Sequence, residues 1–150
     1  MANHLRRQIR DYVAGSIVDS LTTTGARVQQ TPVYPLATES LPGLAIFVDS
    51  EDIEVATLHP TNRELHRSMI LVIEGVVLMA STILNSLDLI AKEVEEAMAG
   101  NRSINSLARD SYLESTDFRF EPEAHIPVGI VRLNYFVQYA NLETASDAVA

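Results

Sequence analysis

The chain has 150 residues, no cysteine and a net charge of −9 at pH 7. Its length is that of an ordinary domain, and its hydrophobic fraction of 47% excludes a disordered chain. The missing cysteines exclude a disulfide framework and thiolate metal sites, and the acidic balance disfavours wrapping nucleic acid, where cations must replace phosphate counterions.

Of the basic residues all but Lys92 are arginine. Arginine suits bidentate pairing at interfaces, although a compositional bias of the genome gives the same count. No apolar run approaches the about 20 residues of a membrane span. The opening Asn3-His4-Leu5-Arg6-Arg7 has no signal-peptide core. These features predict a soluble protein made in a cytoplasm, with no membrane partner.

In chain order, residues 4 to 22 predict a helix. Leu5, Ile9, Tyr12, Val13, Ile17 and Leu21 form its apolar stripe, Asn3 its N-cap, and Thr22 to Gly25 its end. Residues 26 to 43 are interrupted by Pro32, Pro35 and Pro42, so Ala26 to Gln30 and Val33 to Tyr34 are expected as short edge pieces. Leu44 to Val48 is apolar throughout and predicts a buried strand. Residues 49 to 65 are expected to form a long loop, carrying Asp49, Glu51, Asp52 and Glu54.

His66 to Leu78 predicts a long strand, with Met69, Leu71 and Ile73 on one face. A second helix is expected over 84 to 99. Leu84, Leu87, Ala91, Val94 and Met98 make its stripe with Ile83 and Ile90 flanking, Asn85 and Asp88 offer a capping arrangement, and Gly100-Asn101 closes it. Tyr112 to Phe120 and Gly129 to Tyr139 predict two more strands joined by a wide hairpin. Residues 1 to 140 then make a single domain, and the unpatterned residues 141 to 150 a frayed tail. Strands of this length exceed the usual 5–6 residues, so part of each is free to pair with another chain. The expected core comprises Leu5, Ile9, Val13 and Ile17 with Ile46, Leu71, Ile73, Leu87, Val94, Leu133 and Val137.

Few residues suggest chemistry. There is no Gly-rich phosphate loop, no His-Glu-x-x-His and no Gly-x-Ser-x-Gly elbow. His59 and His66 flank the acidic stretch and could hold a cation with Glu51 or Asp52, which would make a small metal-assisted hydrolase; solvated loop histidines are the simpler reading. Tyr34, Tyr112, Tyr135 and Tyr139 could line a groove, but stacking on single-stranded nucleic acid lacks its basic half here, and packing is the simpler role. The acidic cluster needs a pocket to separate its pKa values before it can do acid–base work. Neither a catalytic residue nor a cofactor is expected. The residues expected to make a contact are Glu51, Asp52, Ile53, Glu54, Val55, Leu58 and Arg63, because three apolar side chains on a loop gain little unless a partner covers them.

The order of elements carries a resemblance. A first amphipathic helix leads to Leu41-Pro42-Gly43-Leu44-Ala45-Ile46-Phe47-Val48, then to a strand opening at Arg67 with Met69-Ile70-Leu71-Val72-Ile73-Glu74-Gly75. A helix follows with Leu87-Asp88-Leu89-Ile90 and Val94-Glu95-Glu96-Ala97-Met98. The end carries Tyr112-Leu113-Glu114-Ser115-Thr116-Asp117 and Val131-Arg132-Leu133-Asn134-Tyr135-Phe136-Val137-Gln138-Tyr139. Over residues 3 to 140 this resembles the bacteriophage minor tail protein family that includes the tail terminator of phage lambda. The resemblance implies an α+β fold, two helices on a mostly antiparallel sheet, and a structural virion protein rather than an enzyme. It also implies a hexameric ring that caps the tail tube, contacts the major tail tube protein, and presents the surface joined by the head–tail connector. DNA would pass through such a ring without specific binding, past a wall made acidic by the 49–54 stretch or the second helix. Related neck and head–tail joining proteins share this fold, which leaves that role open beside the first.

Overall fold

The computed structural model describes residues 2–32, 38–58 and 61–150. Helix α1 (Leu5–Tyr12) is capped by His4 rather than Asn3: His4 Nδ1 accepts from the Arg6 amide at 3.0 Å. The expected continuation to residue 22 does not occur. The winding loosens into a π-turn over Val13–Ile17, where Gly15 and Ser16 are weak helix formers. The stripe survives this change, since Leu5, Ile9, Val13 and Ile17 are all buried. The residues expected to end the helix instead make a separate turn, closed by a bridge between Leu21 and Gly25, with Gly25 at φ 55°.

Among the described residues the sheet is mixed and five-stranded. Its strands are β1 (Val28–Gln29), β2 (Gly43–Val55), β3 (Glu64–Leu78), β4 (Asp110–Glu121) and β5 (Val128–Leu142), in the order β1-β2-β3-β5-β4. β1 runs parallel to β2, and every other pair is antiparallel. Helix α2 (Ile83–Ala99) joins β3 to β4. Both helices pack on one face, where alternate residues of the long strands meet the two helical stripes. The expected core residues all lie in this one buried cluster. Its weight comes from apolar area removed from water, about 25 cal/mol per Å².

The face that α2 buries is the expected stripe with its flanking Ile83 and Ile90, except at Leu84. Ile83, Leu87, Ile90, Ala91, Val94 and Met98 are buried, while Leu84 points outward. Two glycines set this position. A Cβ on Gly75 would sit 2.7 Å from Ile90 Cγ2, and one on Gly129 would collide with Ile83 Cδ1. Only bare backbone lets the helix approach so closely. The expected capping by Asn85 or Asp88 is absent: Thr82 holds the N-cap position, without a side-chain hydrogen bond. At the other end Asn101 Nδ2 donates to the Ala97 carbonyl at 2.9 Å. Beyond it Ile104, Asn105 and Ser106 adopt φ values of 47°, 57° and 62°. A β-branched residue resists that conformation, and full burial of the Ile104 side chain holds it there.

Among the described residues neither α1 nor α2 packs on the opposite face. A small cluster of Leu41, Val76, Val128 and Ile130 lies there, with Ile126 against it. The expected edge piece at Val33–Tyr34 lies outside the described residues. Residues of the stretch expected to fray make backbone hydrogen bonds to the domain. β5 runs through Leu142, the Ser146 carbonyl accepts from the Leu5 amide at 2.9 Å, and the Ala150 amide donates to the Ala140 carbonyl at 3.0 Å.

Two β-bulges decide which side chains face the helices. Pairing between β2 and β3 shifts between Val48 and Ser50, and pairing between β4 and β5 shifts between Leu113 and Ser115. An extra residue reverses the alternation beyond it. Before the first bulge Leu44, Ile46 and Val48 face the helices; after it Glu51, Ile53 and Val55 do. After the second, Phe118 and Phe120 take that face, opposite Val131 and Gly129.

Candidate functional site

Residues 49 to 55, expected as the first half of a loop, are the outer half of β2. Glu51, Asp52, Ile53, Glu54 and Val55 stand opposite Met69, Ser68, Arg67, His66 and Leu65. The connection is therefore 56 to 63, and the hairpin continues the subunit's own sheet. The bulge at Asp49 shifts the alternation as the apolar strand continues into a charged one: it turns Asp52 and Glu54 away from the helices and Glu51 toward them.

Glu51 departs furthest from the expected contact residues. Its side chain is almost completely buried, and both oxygens are engaged. Oε1 accepts from Arg6 Nη1 at 2.9 Å and Arg67 Nη1 at 2.8 Å, and Oε2 accepts from the Tyr139 hydroxyl at 2.5 Å. Arg67 Nε also donates to Asn141 Oδ1 at 2.7 Å. Burial by itself raises the Glu51 carboxyl, but the Tyr139 and Arg67 hydrogen bonds and the two guanidinium charges outweigh it and hold the group below its ordinary value. Burial, and then the bond to Glu51, push the Tyr139 phenol upward. Burial, with the charges of Arg6 and Arg67, lowers His4; a neutral ring is what its capping acceptor requires. This group fastens α1 to β2, β3 and β5, so Glu51 is an internal tie and not a surface contact.

Of the remaining expected residues, Ile53, Val55 and Leu58 are exposed by 54%, 44% and 91%. Nothing in the described part of the subunit covers them. Asp52 and Glu54 lie on the helix-free face of the same strand, beside a hollow that His66, Arg109 and Gln138 also line. Arg63 precedes β3, where its amide donates to Glu143 Oε1 at 3.2 Å and its carbonyl accepts from the Glu143 amide at 2.8 Å.

The metal reading finds little geometry. His66 Nε2 lies 2.7 Å from Glu64 Oε2 and 3.1 Å from Arg109 Nη1, so it sits in an ion-pair cluster that contains a competing cation. His59 lies outside the described residues. Among the described residues no group of three or more His, Asp or Glu is arranged to hold a metal. Of the described tyrosines Tyr112 and Tyr135 line one groove, and Tyr139 lies beside another hollow. Tyr135 and Tyr139 are buried in the core, and Tyr34 lies outside the described residues. Tyr112 packs on Phe136 with ring centroids 5.1 Å apart.

A second surface was not legible in the sequence. β4 is the outermost strand opposite β1, and along its helix-side face Phe118 and Phe120 are exposed, as is Leu84 of α2. A groove of about 350 Å³ continues this surface between α2 and β4, lined by Glu95, Met98, Tyr112, Leu113 and Tyr135. The reversal at the second bulge creates it, and strand periodicity alone gives no sign of a bulge.

No family model matches the chain, and no curated protein matches it. Among solved structures, a chain from one described as "Virion of native gene transfer agent (GTA) particle" is similar in fold. The superposition covers 92% of this chain and 96% of that chain, at 14% identity and a TM-score of 0.48. Likeness at that level concerns the course of the backbone and transfers no role to this chain.

Proposed function

We propose that this chain is a structural virion protein, a tail terminator that closes a bacteriophage tail tube as a ring of six subunits. Such a ring meets the major tail tube protein on one side and the head–tail connector on the other. The reading rests on the order of elements that resembles the minor tail protein family. The observation that carries it is the outer half of the β2–β3 hairpin, where Ile53 and Val55 on the strand and Leu58 just past it are left uncovered by the described residues. Apolar residues on a rigid projecting element favour a protein partner. Asp52 and Glu54 on the same strand supply charges to orient that contact. With Glu51 and Asp49 engaged inside the subunit, by Arg67 and Arg132 respectively, an acidic wall for passing DNA would come from those carboxylates of α2 that no neighbouring subunit covers. The same surfaces serve a neck or head–tail joining protein, the neighbouring reading within this class.

Mass photometry of the purified protein tests the proposal. A closed species near six times the 16.5 kDa subunit mass is expected, with capping of added tail tubes visible by electron microscopy. Monomer alone at micromolar concentration, with and without tubes, would overturn it. Capping tubes rather than connectors separates the terminator from the neck role.

A further inference from the structure

We propose that copies of this chain meet head to tail, the basic outer side of α1 on one copy seated against the acidic, apolar cleft between α2 and β4 on the next. The proposal rests on the ring reading above and names the surfaces that close the ring.

The two surfaces lie on opposite margins of the sheet and carry opposite charge. α1 bears Arg6, Arg7 and Arg10 against Asp11. Arg10 Nε donates to Gln30 Oε1 at 2.7 Å, just past β1, which fixes this side of the helix over the outermost strand. Arg6 binds Glu51, and two residues further along β2 the exposed Ile53 adds an apolar element to the basic margin.

The far margin is β4, also outermost, with Phe118 and Phe120 uncovered. Over it stands α2, which carries Asp88, Glu93, Glu95 and Glu96 against Lys92. Thr23 engages Glu93 on the side toward α1. Asp88 and Glu95, seven residues apart and so on one strip of the helix, belong to the β4 side, where Glu95 lines the groove.

Charge placement chooses the symmetry. A two-fold contact sets a margin against itself, arginine facing arginine or carboxylate facing carboxylate. A head-to-tail contact sets unlike charges together and covers Phe118 and Phe120 at every junction. Contacts of that kind close into rings, and the long-range attraction orients the approach of each subunit.

Sedimentation velocity on four samples decides the matter: the wild type, R7E/R10E, D88R/E95R, and an equimolar mixture of the two variants. Arg7 and Asp88 are exposed and Arg10 and Glu95 half-buried, and circular dichroism checks that each variant keeps its fold. D88N/E95Q replaces the reversal, with a smaller effect in the same direction, should the fold be disturbed. Each variant alone is expected to self-associate at least about tenfold more weakly than the wild type. The mixture restores association, because a reversed α1 then meets a reversed cleft. Wild-type association unchanged in both variants, or weakened variants that the mixture does not rescue, overturns this pairing and leaves the ring reading standing. A wild type that stays monomeric throughout, with and without added tail tubes, overturns both.

Discussion

The Tyr139 hydroxyl donates to Glu51 Oε2 across 2.5 Å, joining the last strand of the sheet to a carboxylate that the bulge at Asp49 turns toward the helices. Arg6 and Arg67 complete the tie from α1 and β3. Four separate elements thus meet on one side chain.

Removing that side chain should be costly. Glu51→Ala leaves Arg67 and Tyr139 buried without their acceptor, and should lower the unfolding free energy by about 3 kcal/mol. Urea denaturation measures this. A midpoint equal to that of the wild type would show that the tie contributes nothing.

The same group makes stability depend on pH. The folded Glu51 carboxyl titrates below its unfolded value. Its contribution is therefore complete above the unfolded value of about 4.3, and is lost as pH falls through the lower folded value. Glu51→Gln should flatten the acid limb of the urea midpoint against pH, while changing its slope little above pH 6. An acid limb identical to that of the wild type would exclude Glu51 as its source.

Leu87 and Leu133 are fully buried, from α2 and β5 respectively. Truncating either to alanine should cost about 2–5 kcal/mol. A melting temperature unchanged in both variants would contradict the assignment of the helix-facing side of the sheet.

Gly75→Ala places a methyl group 2.7 Å from Ile90 Cγ2 and 3.1 Å from Val131 Cγ1. Overpacking of this kind costs about 1–3 kcal/mol, although alanine lowers the entropy of the unfolded chain. Net destabilisation is expected, and Ile90→Val in the same chain should recover part of it. A Gly75→Ala protein as stable as the wild type would mean that α2 can lift off the sheet freely.

Ile53→Ser with Val55→Ser should weaken assembly and leave the subunit folded, since both side chains are exposed before any partner arrives. Light scattering reads the first effect and thermal melting the second. Unfolding of the double variant, or assembly at wild-type strength, would remove the hairpin from the contact.

Local pattern determined most of the elements, though not the outer half of β2 or the end of α1. Alternation along residues 131 to 139, the apolar stripes of both helices, and the run Leu44 to Val48 each fix a period, and burial of that face followed from it. Composition also confined the chemistry, since the chain lacks cysteine and the common catalytic motifs. The tertiary structure decided what a period cannot encode. Two unpaired residues, Asp49 and Glu114, reverse the alternation beyond them, which turns Glu51 from an expected surface charge into an internal tie and brings Phe118 and Phe120 out beside α2. Leu84 and Ile83 are one residue apart on the same helix, and the close approach allowed by Gly75 and Gly129 selected Ile83 for the core. Whether a charged stretch becomes a loop or a strand depends on the partner strand across from it, here residues 65 to 69 of β3, and that pairing is a long-range contact that no local window contains.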